Sequence, residues 1–314
     1  MPRWVEPLRA AFAAGDPERL VAEYERARRS PLSGLPLRTV ETIYPVREIV
    51  HLTPPLDARI AAHGLVAASR WLLDTHFALW RPEIPEATAP ILASRPAVIY
   101  GVHGPMLTLF LVAAAVGRED LRIVSAHHVH HLLPAYRPYS VPVETAPRIP
   151  RGWREQLRIL RAAGLPAFLQ QRLLALLVGG TPDDDAKQEN LRSLHDGARH
   201  VAGGGCLLIA PDAGIAASGW RSGIGRIVAR LVDEGEGERV YLIPYTETNV
   251  SNRRMFASLR RGRRARLRRR LLYRQPSTIR FAEPVLLSSL IPQPDDPAAI
   301  TQRLQAHYRG VFPS

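Results

Sequence analysis

The sequence predicts an α/β protein with a mostly parallel central sheet flanked by helices, preceded by an N-terminal helical extension. From residue 97 onward, short apolar runs alternate with longer stretches of helical periodicity, a pattern typical of a parallel sheet covered by helices. Before residue 97 the apolar residues follow helical spacing and prolines are frequent. With 314 residues and 46% hydrophobic content, the chain can bury a full core. We therefore predict a helical extension over 1–90 and an α/β domain over 91–314.

The N-terminal third is expected to form helices separated by irregular segments. Apolar residues recur at helical spacing over 4–29, which predicts one or two helices. Residues 31–55 contain five prolines and are expected to cross irregularly to a second helix over 56–80. A proline-spaced linker is expected over 82–96.

The remainder of the chain predicts the sheet and its covering helices. Apolar runs rich in β-branched and aromatic residues predict strands, which fall at 97–102, 121–126, 206–210, 240–244 and 277–281. Helical periodicity predicts the intervening helices, which fall at 105–116, 153–163, 166–177, 185–202, 224–233 and 297–311.

Charge and cysteine content limit the classes of function. The formal charge of +13 comes almost entirely from arginine, since Lys187 is the only lysine, and it favours partners that carry phosphate or carboxylate. The single cysteine, Cys206, excludes an internal disulfide and a zinc site made of several thiolates, and its apolar surroundings indicate a core residue. The sequence lacks a leader-like start and an apolar run long enough to span a bilayer, so we expect a cytoplasmic protein.

Two strand ends carry the candidate chemistry. His103 directly follows the first predicted strand, where open α/β sheets place their ligands. Asp212 ends the run that begins at Cys206, and a small-residue loop containing Gly214 leads on to Arg221 and Arg226. Such a loop before a helix can bind an anion through free backbone N–H groups. A capped turn at Asp212 and a structural role for the histidine are the alternatives, and the glycines near residue 224 are only weak support for a dinucleotide site.

Two further segments stand out. Residues 127–131 contain four histidines, which indicate a loop lining a pocket more readily than a metal site, because Glu144 is the closest carboxylate downstream. Residues 253–274 combine dense arginine with apolar side chains, as expected of a segment that binds an anionic membrane surface. A solvated loop is the alternative for this segment. No nucleic acid is expected, because no pattern of a nucleic-acid-binding module accompanies the arginines.

Taken in order, the segments from about residue 90 to 312 resemble the glycerolipid and lysophospholipid acyltransferase family, to which the lipid A late acyltransferases are related. The family's first block, a strand and its histidine, resembles Arg95-Pro-Ala-Val-Ile-Tyr-Gly-Val-His103, and its second block resembles Leu176-Leu-Val-Gly-Gly-Thr. The family's strand ending in Pro-Glu-Gly is similar to Gly205-Cys-Leu-Leu-Ile-Ala-Pro-Asp-Ala-Gly214. Its late apolar strand is similar to Tyr241-Leu-Ile-Pro-Tyr, and its closing strand to Thr278-Ile-Arg-Phe-Ala-Glu-Pro-Val.

The chain departs from the family where the catalytic acid is expected. The family carries an acid five residues after its histidine, and here that position is Thr108, whose hydroxyl is a weaker partner for an imidazolium. The arginine expected near Gly180 is also missing, and Asp212 replaces a longer glutamate. An aspartate at position 108 is therefore expected to raise the rate of an active but handicapped enzyme.

The resemblance implies an enzyme that moves a fatty acyl group from acyl-CoA or an acyl carrier protein to a lysophospholipid, glycerol phosphate or related lipid hydroxyl. His103 would act as general base with Thr108 near it, and Asp212, Gly214, Arg221 and Arg226 would bind the acceptor. Neither a metal nor a cofactor is expected beyond the acyl donor itself. The protein would lie on the inner face of the cell membrane without crossing it. The alternative is a non-catalytic lipid-binding protein of the same fold that has lost the acid.

Overall fold

The computed structural model describes residues 4–76, 80–102, 108–144, 177, 183–212, 219–260 and 275–313.

The described residues form an α/β structure around one sheet of eight strands. The strands are β1 (Trp80–Glu83), β2 (Ala97–Gly101), β3 (Leu121–Ala126), β4 (Ser140–Val143), β5 (Cys206–Ile209), β6 (Tyr241–Thr248), β7 (Ser277–Phe281) and β8 (Val285–Leu286). Their order is β1-β7-β6-β2-β5-β3-β4, and β8 pairs with β6 outside this path. The pairs that join β6, β2, β5, β3 and β4 are parallel, whereas β7 and β8 run antiparallel to β6. The predicted mostly parallel sheet with flanking helices is therefore confirmed.

Helices connect the parallel strands and cover both faces of the sheet. They are α1 (Val5–Ala14), α2 (Pro17–Arg29), α3 (Pro31–Ile43), α4 (Val46–His76), α5 (Ala89–Ser94), α6 (Thr108–Val116), α7 (Val129–Leu132), α8 (Asp183–Ala202), α9 (Gly223–Asp233), α10 (Asn252–Leu259), α11 (Leu287–Leu290) and α12 (Pro297–Val311). Short 3₁₀ turns lie at Pro134–Tyr139 and Glu236–Glu238. The predicted helices at 153–163 and 166–177 fall outside the described residues, except for Leu177.

The N-terminal helices share a core with one face of the sheet. Leu8, Tyr24 and Leu72 from these helices belong to the same buried cluster as Ile99 of β2 and Ile243 of β6. The opposite face packs against α8, α9 and α12 in a second apolar cluster. Because strand side chains alternate between faces, each central strand contributes to both clusters, which is why the strand sequences are nearly continuously apolar.

The prediction of an irregular segment over 31–55 was wrong, because most of it lies in α3 and in the first part of α4 despite its prolines. Pro31 occupies the first turn of α3, where its missing N–H costs nothing. Pro54 and Pro55 lie inside α4, and the interruption of that helix occurs later, at Gly64, with φ 79° and ψ 170°. The predicted linker over 82–96 was also incomplete, because it contains the second half of β1 and all of α5.

Helices α9 and α12 approach each other closely at a glycine. A Cβ atom at Gly225 would lie 1.9 Å from the carbonyl oxygen of Pro297 and 2.5 Å from Oγ1 of Thr301. Only a residue without a side chain fits this contact. The Pro297 end of α12 is fixed further by Asp296, whose carboxylate accepts hydrogen bonds from the backbone N–H groups of residues 298 and 299.

Candidate functional site

The carboxyl ends of β2, β5 and β6 lie side by side, because β2 pairs in parallel with both of the other strands. In the pairing of β2 with β5, Tyr100 is level with Ile209. Asp212 follows Ile209 by three residues and is 2% exposed. The backbone carbonyl of Pro211 accepts a hydrogen bond of 2.9 Å from the N–H of Arg221, so Arg221 lies next to the residue that precedes Asp212. A buried carboxylate therefore lies just past the end of β5.

A second carboxylate, that of Glu247, lies on the other side of the β2 end. In the pairing of β2 with β6, Gly101 is level with Tyr245, and Glu247 follows Tyr245 by two residues. Because side chains alternate along a strand, Glu247 lies on the same face of β6 as Tyr245, the face that packs against α6 and the N-terminal helices. Its Oε1 atom is buried and has no hydrogen-bond partner of normal geometry among the described residues.

Burial raises the pKa of Glu247 from an ordinary 4.5 to about 7, since the site disfavours the charged form. The neighbouring hydroxyl of Thr108 opposes part of this rise, and the negative charge of Asp212 adds to it. The carboxyl groups of Glu247 and Asp212 therefore influence each other across the end of β2. At neutral pH the site can hold a proton.

Thr108 lies at the first residue of α6, faces Glu247 and is 3% exposed. Its Oγ1 atom is fully buried and makes no hydrogen bond of normal geometry with a described residue. The described group that acts on this hydroxyl is the Glu247 carboxylate. Thr108, at the start of α6, therefore lies beside a carboxylate that another element, β6, supplies.

Two tyrosines border the carboxylates from opposite faces of the sheet. The hydroxyl of Tyr245 donates to the carbonyl oxygen of Val102 at 3.3 Å. Tyr308 of α12 interacts with the hydroxyl of Thr246 and with the backbone of Val102. Burial raises the pKa of both phenols, and the charges of the two carboxylates contribute to the rise, so both tyrosines stay neutral.

The predicted site residues are not all within the described part of the chain. His103 and Gly214 lie outside it. Arg221 and Arg226 are exposed, which leaves both guanidinium groups accessible from solvent. Glu247 was missed by the sequence analysis because the strand was predicted to end at residue 244. A carboxylate at alternate spacing from the apolar residues of that strand was the signal that could have found it.

Helix α7, which carries His130 and His131, packs against α1. His127 Nδ1 lies 2.8 Å from a carboxylate oxygen of Glu144, and the rings of His131 and Phe12 are 5.3 Å apart. Burial lowers the pKa of His128 and of His130 to about 4, and neighbouring positive charges lower it further, so both rings are neutral at pH 7. Within the described ranges, no group of three or more ligand residues is arranged to hold a metal ion.

Part of the arginine-rich segment 253–274 belongs to the core. Met255 and Leu259 of α10 are buried, so these two residues do not reach a membrane surface. Arg254 donates to the carbonyl oxygens of residues 249 and 275, and Arg260 donates to those of residues 41 and 42. Residues 261–274 lie outside the described part of the chain.

Cys206 is fully buried in β5, and burial raises the pKa of its thiol to about 12, which agrees with the predicted core role.

Among the described residues, no helix is long and apolar enough to cross a bilayer.

Comparison of the chain with protein-family models, with curated proteins and with solved structures finds no match.

Proposed function

We propose that this protein is an acyltransferase that moves a fatty acyl group from acyl-CoA or an acyl carrier protein to a lysophospholipid, glycerol phosphate or related lipid hydroxyl. The observation that carries the proposal is the register of the central strands. His103 lies three residues after Tyr100 in the sequence, the same count that separates Asp212 from Ile209, the partner of Tyr100. A histidine and a buried carboxylate thus follow the ends of two paired parallel strands.

The proposed reaction needs one base. The His103 imidazole takes the proton from the acceptor hydroxyl while the acceptor oxygen attacks the thioester carbon. The carbon–sulfur bond then breaks and the proton passes to the departing sulfur, so that an ester and a free thiol result. No covalent enzyme intermediate and no cofactor other than the acyl carrier is required.

Arg221 and Arg226 are proposed to bind the phosphate of the acceptor. Their exposure supports this role, since both guanidinium groups can be reached by an anion from solvent. The buried pair of Asp212 and Glu247 is a poor surrounding for a phosphate, because like charges repel each other strongly at low dielectric. The hydroxyl end of the acceptor is therefore assigned to the carboxylates and its phosphate end to the arginines.

The proposed place of action is the inner face of the cell membrane. An anionic surface attracts each nearby basic residue by about 1 kcal/mol. The arginines of residues 261–274 would supply this attraction, since Arg254 and Arg260 already serve the fold. The protein would bind the surface without crossing it.

The competing function is lipid binding without catalysis, and the threonine at position 108 is the observation that favours it. A labelled-acyl assay distinguishes the two functions. Purified protein is supplied with acyl-CoA or acyl-carrier-protein donors and a panel of lysophospholipids and glycerol phosphate. A labelled ester product supports the proposal. Vesicle binding without product from any donor and acceptor pair would replace it with the lipid-binding function.

A further inference from the structure

Glu247 supplies a carboxylate where the chain carries threonine instead of an acid. Position 108 is close in sequence to His103, but its side chain has no charge. Glu247 reaches the same place from β6, and its carboxylate meets the Thr108 hydroxyl there. The two residues lie on elements that pack against the same face of the sheet. The Thr108 Oγ1 atom, buried and without a partner of normal geometry among the described residues, faces this carboxylate.

Other charged and titratable groups surround Glu247 on the neighbouring elements. Asp212 faces it across the end of β2, and Tyr245 and Tyr308 border it as neutral phenols. On the neighbouring strand, Arg280 is level with Thr246 and its guanidinium lies over the ring of Phe312, 5.2 Å from the centroid. No described cation acts on the Glu247 carboxylate.

We propose that Glu247, which lies beside Thr108 and Asp212, supplies the carboxylate of this site in place of the one absent from position 108. This inference rests on the proposed acyltransferase function for its role in turnover. In that role, ionised Glu247 stabilises the base after the base has taken the proton of the acceptor hydroxyl. The proton then leaves on the sulfur of the donor, so the carboxylate ends the cycle unchanged.

The first test does not depend on activity. Protein labelled with ¹³C at the glutamate side-chain carboxyl carbon is titrated by NMR. One glutamate is expected to titrate with a midpoint near 7, and Glu247→Gln should remove that signal. Asp212→Asn should move the midpoint to lower pH, because a negative neighbour is lost. A Glu247 signal that titrates in the ordinary range near 4.5, or one that ignores Asp212→Asn, overturns the proposal.

The second test uses turnover and a relocation of the acid. Glu247→Gln should lower kcat by about 10² or more, the scale of acid–base contributions to catalysis. Thr108→Asp in the Glu247→Gln background should recover at least about tenfold of that loss, since the carboxylate returns by the other route. The exposed Glu283 gives the matched control, and Glu283→Gln should leave kcat unchanged. If Glu247→Gln lowers kcat and the double variant does not restore it, Glu247 has a structural role and the proposal is overturned.

The two proposals fail in different ways. Wild-type protein that turns over while Glu247→Gln keeps its full rate and pH profile overturns the role of Glu247 and leaves the acyltransferase standing. Wild-type protein that transfers no acyl group overturns the acyltransferase, and the NMR titration then tests by itself whether the Glu247 carboxyl lies buried beside Asp212.

Discussion

The hydroxyl of Thr108, at the start of α6, lies beside the carboxylate of Glu247, near the end of β6. The two residues are far apart in the sequence and meet because both elements pack on the same face of the sheet. The proposed role of Glu247 as the carboxylate of the site rests on this contact.

Substitutions at position 108 should act through Glu247. Thr108→Val removes the hydroxyl that opposes the raised pKa of Glu247, so the acid limb of the rate–pH profile should move to higher pH. Thr108→Asp alone should not raise the rate, contrary to the expectation from the sequence, because it adds a third carboxylate beside two others. Rate–pH profiles of the three proteins check this. A gain of rate in Thr108→Asp with Glu247 intact would contradict it.

The pH dependence of stability should reveal the same carboxyl group. The folded pKa of Glu247 lies above its ordinary value, so its contribution to stability is complete below about pH 4.5 and is lost as the pH rises through about 7. Glu247→Gln has no proton to lose. Between pH 5 and pH 8 the free energy of unfolding of the wild type should therefore fall by about 2 to 3 kcal/mol relative to that of Glu247→Gln. Urea unfolding at both pH values measures this, and parallel behaviour of the two proteins would refute it.

The contact between α9 and α12 should be intolerant of a single methyl group. Gly225→Ala would place a Cβ atom 1.9 Å from the carbonyl oxygen of Pro297, so the helices must separate, at a cost of about 1–3 kcal/mol or more. Gly310→Ala, near the end of α12, is the matched control, because nothing lies within 4 Å of its added Cβ. It should stabilise the protein by about 0.5–1 kcal/mol. Thermal unfolding of both variants tests the difference, and equal effects would contradict the close packing.

Membrane binding should depend on the arginines beyond α10. A variant with Arg263, Arg264, Arg266, Arg268, Arg269 and Arg270 replaced by glutamine should no longer sediment with anionic vesicles, and salt should release the wild type. Arg254 and Arg260 are left in place because they bond to the backbone of the fold. Replacement of six exposed arginines elsewhere, including Arg26 and Arg230, is the control for net charge. Unchanged sedimentation of the first variant would remove the membrane role from this segment.

The sequence predicts the sheet well because its signals are local. The apolar runs at 97–102 and 206–210 lie on β2 and β5, which are buried on both faces. The predicted irregular segment over 31–55 was wrong because a proline does not always end a helix. Pro31 begins α3, and Pro54 lies inside α4. Local signals likewise identified Asp212 as a strand-end carboxylate.

The partnership of Thr108 with Glu247 could not be predicted in the same way. Nothing near residue 108 indicates which distant strand packs beside it, and the pairing depends on the order of the strands in the sheet. The exposure of Arg221 and the burial of Met255 also depend on packing. Both residues lie in polar stretches of the sequence, which do not indicate which side chain is buried. The sequence thus predicts which residues end strands better than it predicts which of them meet.

We propose that the carboxyl ends of β2, β5 and β6 form an acyl-transfer site whose base is His103. The most direct measurement is the rate of labelled ester formation from acyl-CoA or acyl carrier protein by wild type, His103→Ala and His195→Ala, the last being an exposed histidine on α8. We predict that His103→Ala lowers turnover by about 10² to 10⁴ and that His195→Ala turns over at the wild-type rate. Equal rates in all three proteins, or no product from any of them, would contradict the account.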